Sequence, residues 1–187
     1  MKKLAKQAYT FTPNYSEALG LRDGTPVTLR LVIPADKPLL ARGMDNFSAE
    51  SRFHRFLYAK LKLTNTDLRY LTEIDGVDHF AIGALNESGD GMGVARFVRF
   101  GGDREVAEPA IAVLDDYQNK GLGSLLFNRL MAAARERGIK RFRGSILSSN
   151  IPMMHLLHSA AHKICFTYQG AVFEFDMPLE SRTEASG

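Results

Sequence analysis

Cysteine occurs once in these 187 residues, at Cys165, and tryptophan does not occur at all. A single thiol excludes an intramolecular disulfide framework, and with it the small secreted folds that need one. It is compatible with a reducing, cytoplasmic setting. Because it lies between Ile164 and Phe166, Cys165 is expected to be a buried core thiol and not a nucleophile. An excess of one charge is also missing. Lys and Arg number 24 against 21 Asp and Glu, a net +3, which would suit a polyphosphate ligand but does not argue for nucleic acid. The densest mixture of basic and aromatic residues is Arg52-Phe53-His54-Arg55-Phe56, and no nucleic-acid-binding signature accompanies it. No window approaches the ~20 apolar residues of a membrane span. The start, Met1-Lys2-Lys3-Leu4, opens like a signal peptide, but no apolar stretch follows. Neither nucleic acid nor a membrane is therefore an expected partner.

What is present, 45% hydrophobic and 24% charged residues, is enough for one well-filled core and too little for two ordinary domains. Residues 1–24 show little periodicity and read as a partly ordered lead-in, 25–179 as one domain, and 180–187 as a flexible tail. Within the domain, Thr25 to Val32 alternates as a strand and Pro34 ends it. A short helix over 36–46 follows, then a second one capped by Ser48 with Glu50 in its first turn. Asp67 to Glu73 is another helical turn. His79 to Leu85 and Gly93 to Phe100 read as antiparallel strands joined by the Asn-, Ser-, Asp- and Gly-bearing turn 86–91. A strand over 105–114 leads into a helix from Leu122 to Arg137, stopped by Gly138, with Leu122, Leu126, Leu130, Ala133 and Ala134 on one side. A strand over 139–147, a helix from Pro152 and a hairpin, 164–168 with 171–177, complete an α/β chain: a mixed sheet with helices on both faces.

The most informative stretch is Gln118-Asn119-Lys120-Gly121-Leu122-Gly123-Ser124, where a strand passes through Asp115-Asp116-Tyr117 into a helix. First-turn N–H groups have no partner and attract anions, and Gly121 and Gly123 let an anion approach the backbone. By spacing alone, the segment is either a pyrophosphate cradle or a turn with small residues for packing. Neither GxxxxGK[ST] nor GxGxxG is present.

What does match is Q/R-x-x-G-x-G/A, and over 26–177 the chain resembles the GNAT superfamily of N-acyltransferases. The resemblance implies the order strand, helix, helix, three strands, helix, strand, helix, two strands. It also implies that the strands ending near Leu114 and Leu147 splay apart around acetyl-coenzyme A. It assigns the pantetheine arm to main-chain groups of Ile111, Ala112 and Val113, and the pyrophosphate to Gln118, Asn119, Lys120, Gly121, Leu122, Gly123 and Ser124. Asn150 matches an asparagine that contacts the coenzyme, although a helix cap before Pro152 is an equal reading.

Ser48-Ala49-Glu50-Ser51-Arg52-Phe53-His54-Arg55-Phe56 resembles the S-x-E-S-R-x-x-R-F helix of Pat-type bacterial protein-lysine acetyltransferases, and Ala107-Glu108 resembles the Ala-Glu pair of the same subfamily. Acyl transfer to an amine needs a base to remove the amine proton, and the resemblance gives that role to Glu108. From position alone, Glu108 is a solvated carboxylate ahead of a strand. Ser51, Arg52 and Arg55 read as an exposed helix face. The ribosomal-protein branch has a glutamate where this chain has Gly144-Ser145 and a tyrosine acid where it has Leu157, so that branch is disfavoured and the thiolate has no evident proton donor.

His155, His158 and His162 share a helix without an acidic partner or an HExxH spacing, so no metal is expected. Asp75 and Asp78 either draw in a cationic acceptor or are simply solvated. The sequence thus predicts an acetyl-coenzyme A-dependent N-acetyltransferase acting on a protein lysine, as a monomer or homodimer. A small-molecule amine acetyltransferase and a non-catalytic acyl-coenzyme A sensor are the alternatives.

Overall fold

The computed structural model describes residues 9–56, 62–160 and 163–179. Its strands are β1 (Ser16–Gly20), β2 (Pro26–Leu31), β3 (His79–Leu85), β4 (Gly91–Phe100), β5 (Asp103–Val113), β6 (Arg141–Leu147), β7 (Cys165–Gln169) and β8 (Val172–Pro178). Its helices are α1 (Lys37–Asn46), α2 (Ala49–Phe56), α3 (Asn65–Thr72), α4 (Leu122–Glu136) and α5 (Ile151–Ala160). The strands form one mixed sheet in the order β1-β2-β3-β4-β5-β6-β8-β7. Every neighbouring pair is antiparallel except β5 and β6, which run parallel and pair only through Val106 with Arg141 and Ala107 with Phe142.

That short parallel ladder has a local cause. Lys140 donates its N–H to the Glu105 carbonyl, and Leu114 donates its own to Met92 on β4. Peptide groups alternate sides along a strand, so odd-numbered residues of β5 face β6 and even-numbered ones face β4. After Ala107, the next residue facing β6 is Pro109, which has no N–H to donate. The ladder loses its donor there and the strands part, which is how a proline is accommodated inside an eight-stranded sheet.

The core lies between the sheet and α4, which buries Leu122, Leu126, Phe127, Leu130, Met131, Ala133 and Ala134. Phe80 and Phe97 stack at 5.4 Å, and Phe142 meets both Phe97 and Phe127. Gly138, at φ +76°, ends the α4 segment: its N–H goes to Arg135, and the next, Ile139, bonds back to Ala134. On the opposite face Leu71 of α3 accepts from the buried Arg96 of β4.

Two expectations need correction. The sheet starts inside the segment read as a lead-in: β1 pairs with β2, and Phe11 is buried in the core. The segment is held from outside itself. Arg129 of α4 makes a two-pronged contact with Glu17 at 2.7 and 2.8 Å, and Glu136 accepts the Thr10 and Phe11 N–H groups. Short stretches of local sequence carry no sign of such contacts. Cys165 is exposed, not buried. It sits on the edge strand β7, where alternation turns Phe166 inward and Cys165 outward, so its apolar neighbours in sequence are not its neighbours in space.

His79 lies beside the Arg96 guanidinium, with Nε2 3.2 Å from Nη1. A guanidinium only donates, so Nε2 is unprotonated and the ring is neutral. Burial, followed by repulsion from Arg96, pushes its pKa from 6.5 down to about 4. Between those values the unfolded chain binds a proton that the folded one does not, so stability is lost as the pH falls through this window. The urea midpoint is expected to fall from pH 6.5 to about 4, and less steeply in His79→Gln. An equal slope in the variant would remove His79 as the cause.

Candidate active site

The parting of β5 from β6 leaves a slot of roughly 610 Å³. One wall is the edge of β5. By the alternation described above, the peptide groups of Ile111 and Val113 point into the slot and that of Ala112 points to β4. Gln118 has folded back onto this edge, and its Nε2 donates to the Val113 carbonyl at 3.1 Å. The Val113 N–H and both Ile111 groups are left to face the slot.

The end of the slot is formed by the turn into α4. Asn119 (φ 60°) and Gly121 (φ 89°) both take the left-handed conformation, which asparagine tolerates and glycine prefers. Gly121 is the N-cap, no side chain caps the helix, and its hydrogen-bond ladder opens with Leu125 N–H to the Gly121 carbonyl. The Leu122, Gly123 and Ser124 N–H groups precede that ladder, so the positive end of the helix dipole faces the slot. A Cβ built on Gly123 would meet nothing within 4 Å, whereas one on Gly121 would lie 3.2 Å from Arg22 Nε. The space over Gly123 is therefore an open cradle lined by main chain. Leu122 contributes only its backbone, because its side chain is fully buried. Lys120 does not reach into the slot: its Nζ pairs with Asp23 at 3.2 Å.

Asp115 joins this turn to α2. It accepts from Ser48 N–H at 3.0 Å, Ser51 Oγ at 2.6 Å and Gln118 Nε2 at 2.9 Å. Burial alone would raise the Asp115 pKa, and the hydrogen bonds from Ser51 and Ser48 outweigh it, holding the carboxyl below its ordinary value. Ser51, read from sequence as part of an exposed face, is thus a fixed contact between α2 and the β5 edge. The Ser48-x-x-Ser51 spacing was visible, but its partner lies 64 residues further on. His54, on the next turn of α2, places Nε2 3.2 Å from Ser149 Oγ on the opposite wall.

On that wall, Asn150 Oδ1 accepts the Met153 N–H at 3.2 Å, so Asn150 caps α5 while it also lines the slot. Met153 and Leu156 face the slot as well. Leu157 is fully buried and carries no proton to give.

Glu108 precedes Ile111 on β5 by three residues, roughly 10 Å at ~3.3 Å per residue, and is exposed. Its side chain leans toward β6, with Cγ 3.5 Å from where a Cβ on Gly144 would lie. That same Cβ would be 3.1 Å from the Phe175 ring. At Gly144 a side chain would thus crowd the Phe175 ring while standing at ordinary contact distance from Glu108. Asp75 and Asp78 are committed to their own loop: Asp75 accepts the Val77, Asp78 and His79 N–H groups, and Asp78 pairs with Arg99 at 2.7 Å. Neither is a free carboxylate waiting for an acceptor. His155 and His158 are on the exposed side of α5, His162 lies outside the described residues, and no metal-holding cluster occurs among the described residues.

The two glycines are expected to separate stability from binding. Gly123→Ala should melt no lower than wild type, since alanine is favoured in a helix by about 1 kcal/mol, and, where this turn holds the pyrophosphate as the resemblance implies, should bind coenzyme A more weakly because its methyl projects into the open space there. Gly121→Ala should lose about 1–2 kcal/mol of stability from the left-handed backbone alone. Thermal melts and calorimetric titration measure both, and undiminished affinity in Gly123→Ala would show that the open space is not the cradle.

Residues 46–161 match the Acetyltransferase (GNAT) family. The acetyltransferase Pat of Mycolicibacterium smegmatis is 37% identical over 139 residues, which span 73% of this chain and 41% of that protein. The crystal structure of the GNAT domain of S. lividans PAT superimposes with a TM-score of 0.80 at 26% identity, covering 87% of this chain and 96% of that one. A cAMP-binding acyltransferase from Mycobacterium smegmatis superimposes with a TM-score of 0.64 at 28% identity, covering 89% of this chain and 48% of that one. The chain thus spans less than half the length of the two mycobacterial relatives. The splayed β5 and β6, the uncapped glycine turn and these matches agree: this chain belongs to the GNAT family of acetyltransferases.

Proposed function

We propose that this protein transfers an acetyl group from acetyl-coenzyme A to the side-chain amine of a protein lysine, with Glu108 as general base. The observation that carries the reading is that one strand, β5, serves both ends of the reaction: Glu108 at one end, and the slot edge Ile111–Val113 running into the glycine turn at the other. Acetyl-coenzyme A supplies an activated acetyl thioester. The residues fit it, since the slot offers unpaired main-chain groups for the amides of the pantetheine arm and an open helix N-terminus for the pyrophosphate.

The acceptor must arrive as a neutral amine for its nitrogen to attack the thioester carbon. Exposed and unpaired among the described residues, the Glu108 carboxylate is free to take the amine proton through water. A β5 main-chain N–H facing the slot stabilises the charge that develops on the carbonyl oxygen. The C–S bond then breaks and the coenzyme leaves as thiolate, which water reprotonates, because Leu157 is no acid. Asp115 fixes α2 beside the glycine-turn end of this strand, so the helix that carries the Ser48–Phe56 motif has a defined place along the slot.

Glu108→Gln is expected to lower turnover at neutral pH by roughly 10²- to 10⁴-fold, the usual worth of a positioned base, while leaving coenzyme affinity nearly unchanged. Incubation with acetyl-labelled coenzyme A and a desalted cell extract, with and without added amines, tests the acceptor. Glu108-dependent label in protein supports the lysine reading. Label only in small amines replaces it with small-molecule acetylation, and coenzyme binding without any label points to a sensor.

A further inference from the structure

The β1–β2 turn lies against the glycine turn before α4, although it falls outside the residues that match the family. It is internally braced: Leu21 N–H bonds the Thr25 carbonyl, Thr25 N–H bonds Asp23 Oδ1, and Gly24 takes a left-handed φ of 84°. Two contacts dock it. Arg22 N–H donates to the Lys120 carbonyl at 3.2 Å, and Asp23 holds Lys120 Nζ at the same distance. The Arg22 side chain then crosses Gly121, with Nε, Cγ and Cδ 3.2 to 3.4 Å from where a Cβ would project, and lines the slot.

The consequence is an exchange of roles between two cations. Lys120, which stands inside the sequence motif, is drawn away from the slot by Asp23. Arg22, from a turn nearly a hundred residues earlier, has no carboxylate partner among the described residues and lies over the N-cap of α4. An extended guanidinium offers several N–H donors to phosphate oxygens, and its contacts with an anion are charge-assisted. We propose that Arg22 binds the pyrophosphate of the coenzyme, closing from the solvent side a cradle whose other side is the first turn of α4. This rests on the reading of the slot as a coenzyme A site. It also gives the glycine at 121 a second role besides its backbone angle, because a Cβ there would stand 3.2 to 3.4 Å from the Arg22 side chain and require that side chain to shift.

The test is calorimetric titration of wild type, Arg22→Gln and Arg22→Lys with coenzyme A, 3′-dephospho-coenzyme A and pantetheine. Arg22→Gln should bind coenzyme A and the dephospho form about tenfold more weakly, the loss expected for one charge-assisted hydrogen bond, and should bind pantetheine as wild type does. Arg22→Lys, which keeps the charge, should recover part of the loss. Equal affinity of Arg22→Gln and wild type for coenzyme A would overturn the proposal. So would a loss shared by pantetheine, which marks a structural role, or one confined to the 3′-phosphorylated ligand, which marks a different phosphate. If wild type itself binds no coenzyme A, the reading of the slot fails, and that result is distinct from a failure of Arg22.

Discussion

The slot in this molecule depends on a parallel ladder that stops after two residue pairs. Had β5 and β6 stayed paired to their ends, the peptide groups of Ile111 and Val113 would be ordinary sheet bonds, and the slot would not exist. Pro109 removes the next donor on the β6 side at the point where the strands part. A buried strand edge carries unsatisfied polar groups, and such an edge is stable only if something pairs with it. Here Gln118 satisfies the Val113 carbonyl, and the slot leaves the remaining groups open to solvent or to an extended ligand.

The surrounding structure keeps that opening in shape through contacts between segments far apart in the chain. Arg137, buried where α4 ends, donates to the carbonyls of Gly76, Ala133 and Phe11 and lies over the rings of Tyr9 and Phe80. Burial of this cation works against its charge and pushes its pKa down. Its several partners compensate, and they join the N-terminal segment, the loop before β3 and α4 in one place. Arg129 and Glu136 repeat the pattern along the same helix edge. Of these polar residues, which blur the amphipathic stripe of α4, Arg129 fastens β1 and Glu136 the segment just ahead of it.

Local regularities account for what was legible in advance. Alternation in β2, β3 and β4, the turn residues at 86–91, the cap at Ser48 and the stop at Gly138 each act within a few residues, so each is visible in a short window. The glycine turn was legible for the same reason. Cys165 was misplaced because two apolar neighbours say nothing about which side of an edge strand faces inward. Asp75 and Asp78 were ambiguous because only the folded loop shows their hydrogen bonds being used up.

By itself the sequence determined the elements from β2 onward, their order, and a helix that opens on a glycine turn, since these follow from backbone preferences and from the period of apolar residues, while β1 was not among them. Only the tertiary structure decided which polar groups meet there. Ser51 finds Asp115, Lys120 is taken by Asp23, Arg22 covers Gly121 and Glu108 leans over Gly144. Each of these contacts joins residues that the sheet order brings together across dozens of positions, and hydrogen bonds and ion pairs act over a few ångströms of space regardless of distance along the chain.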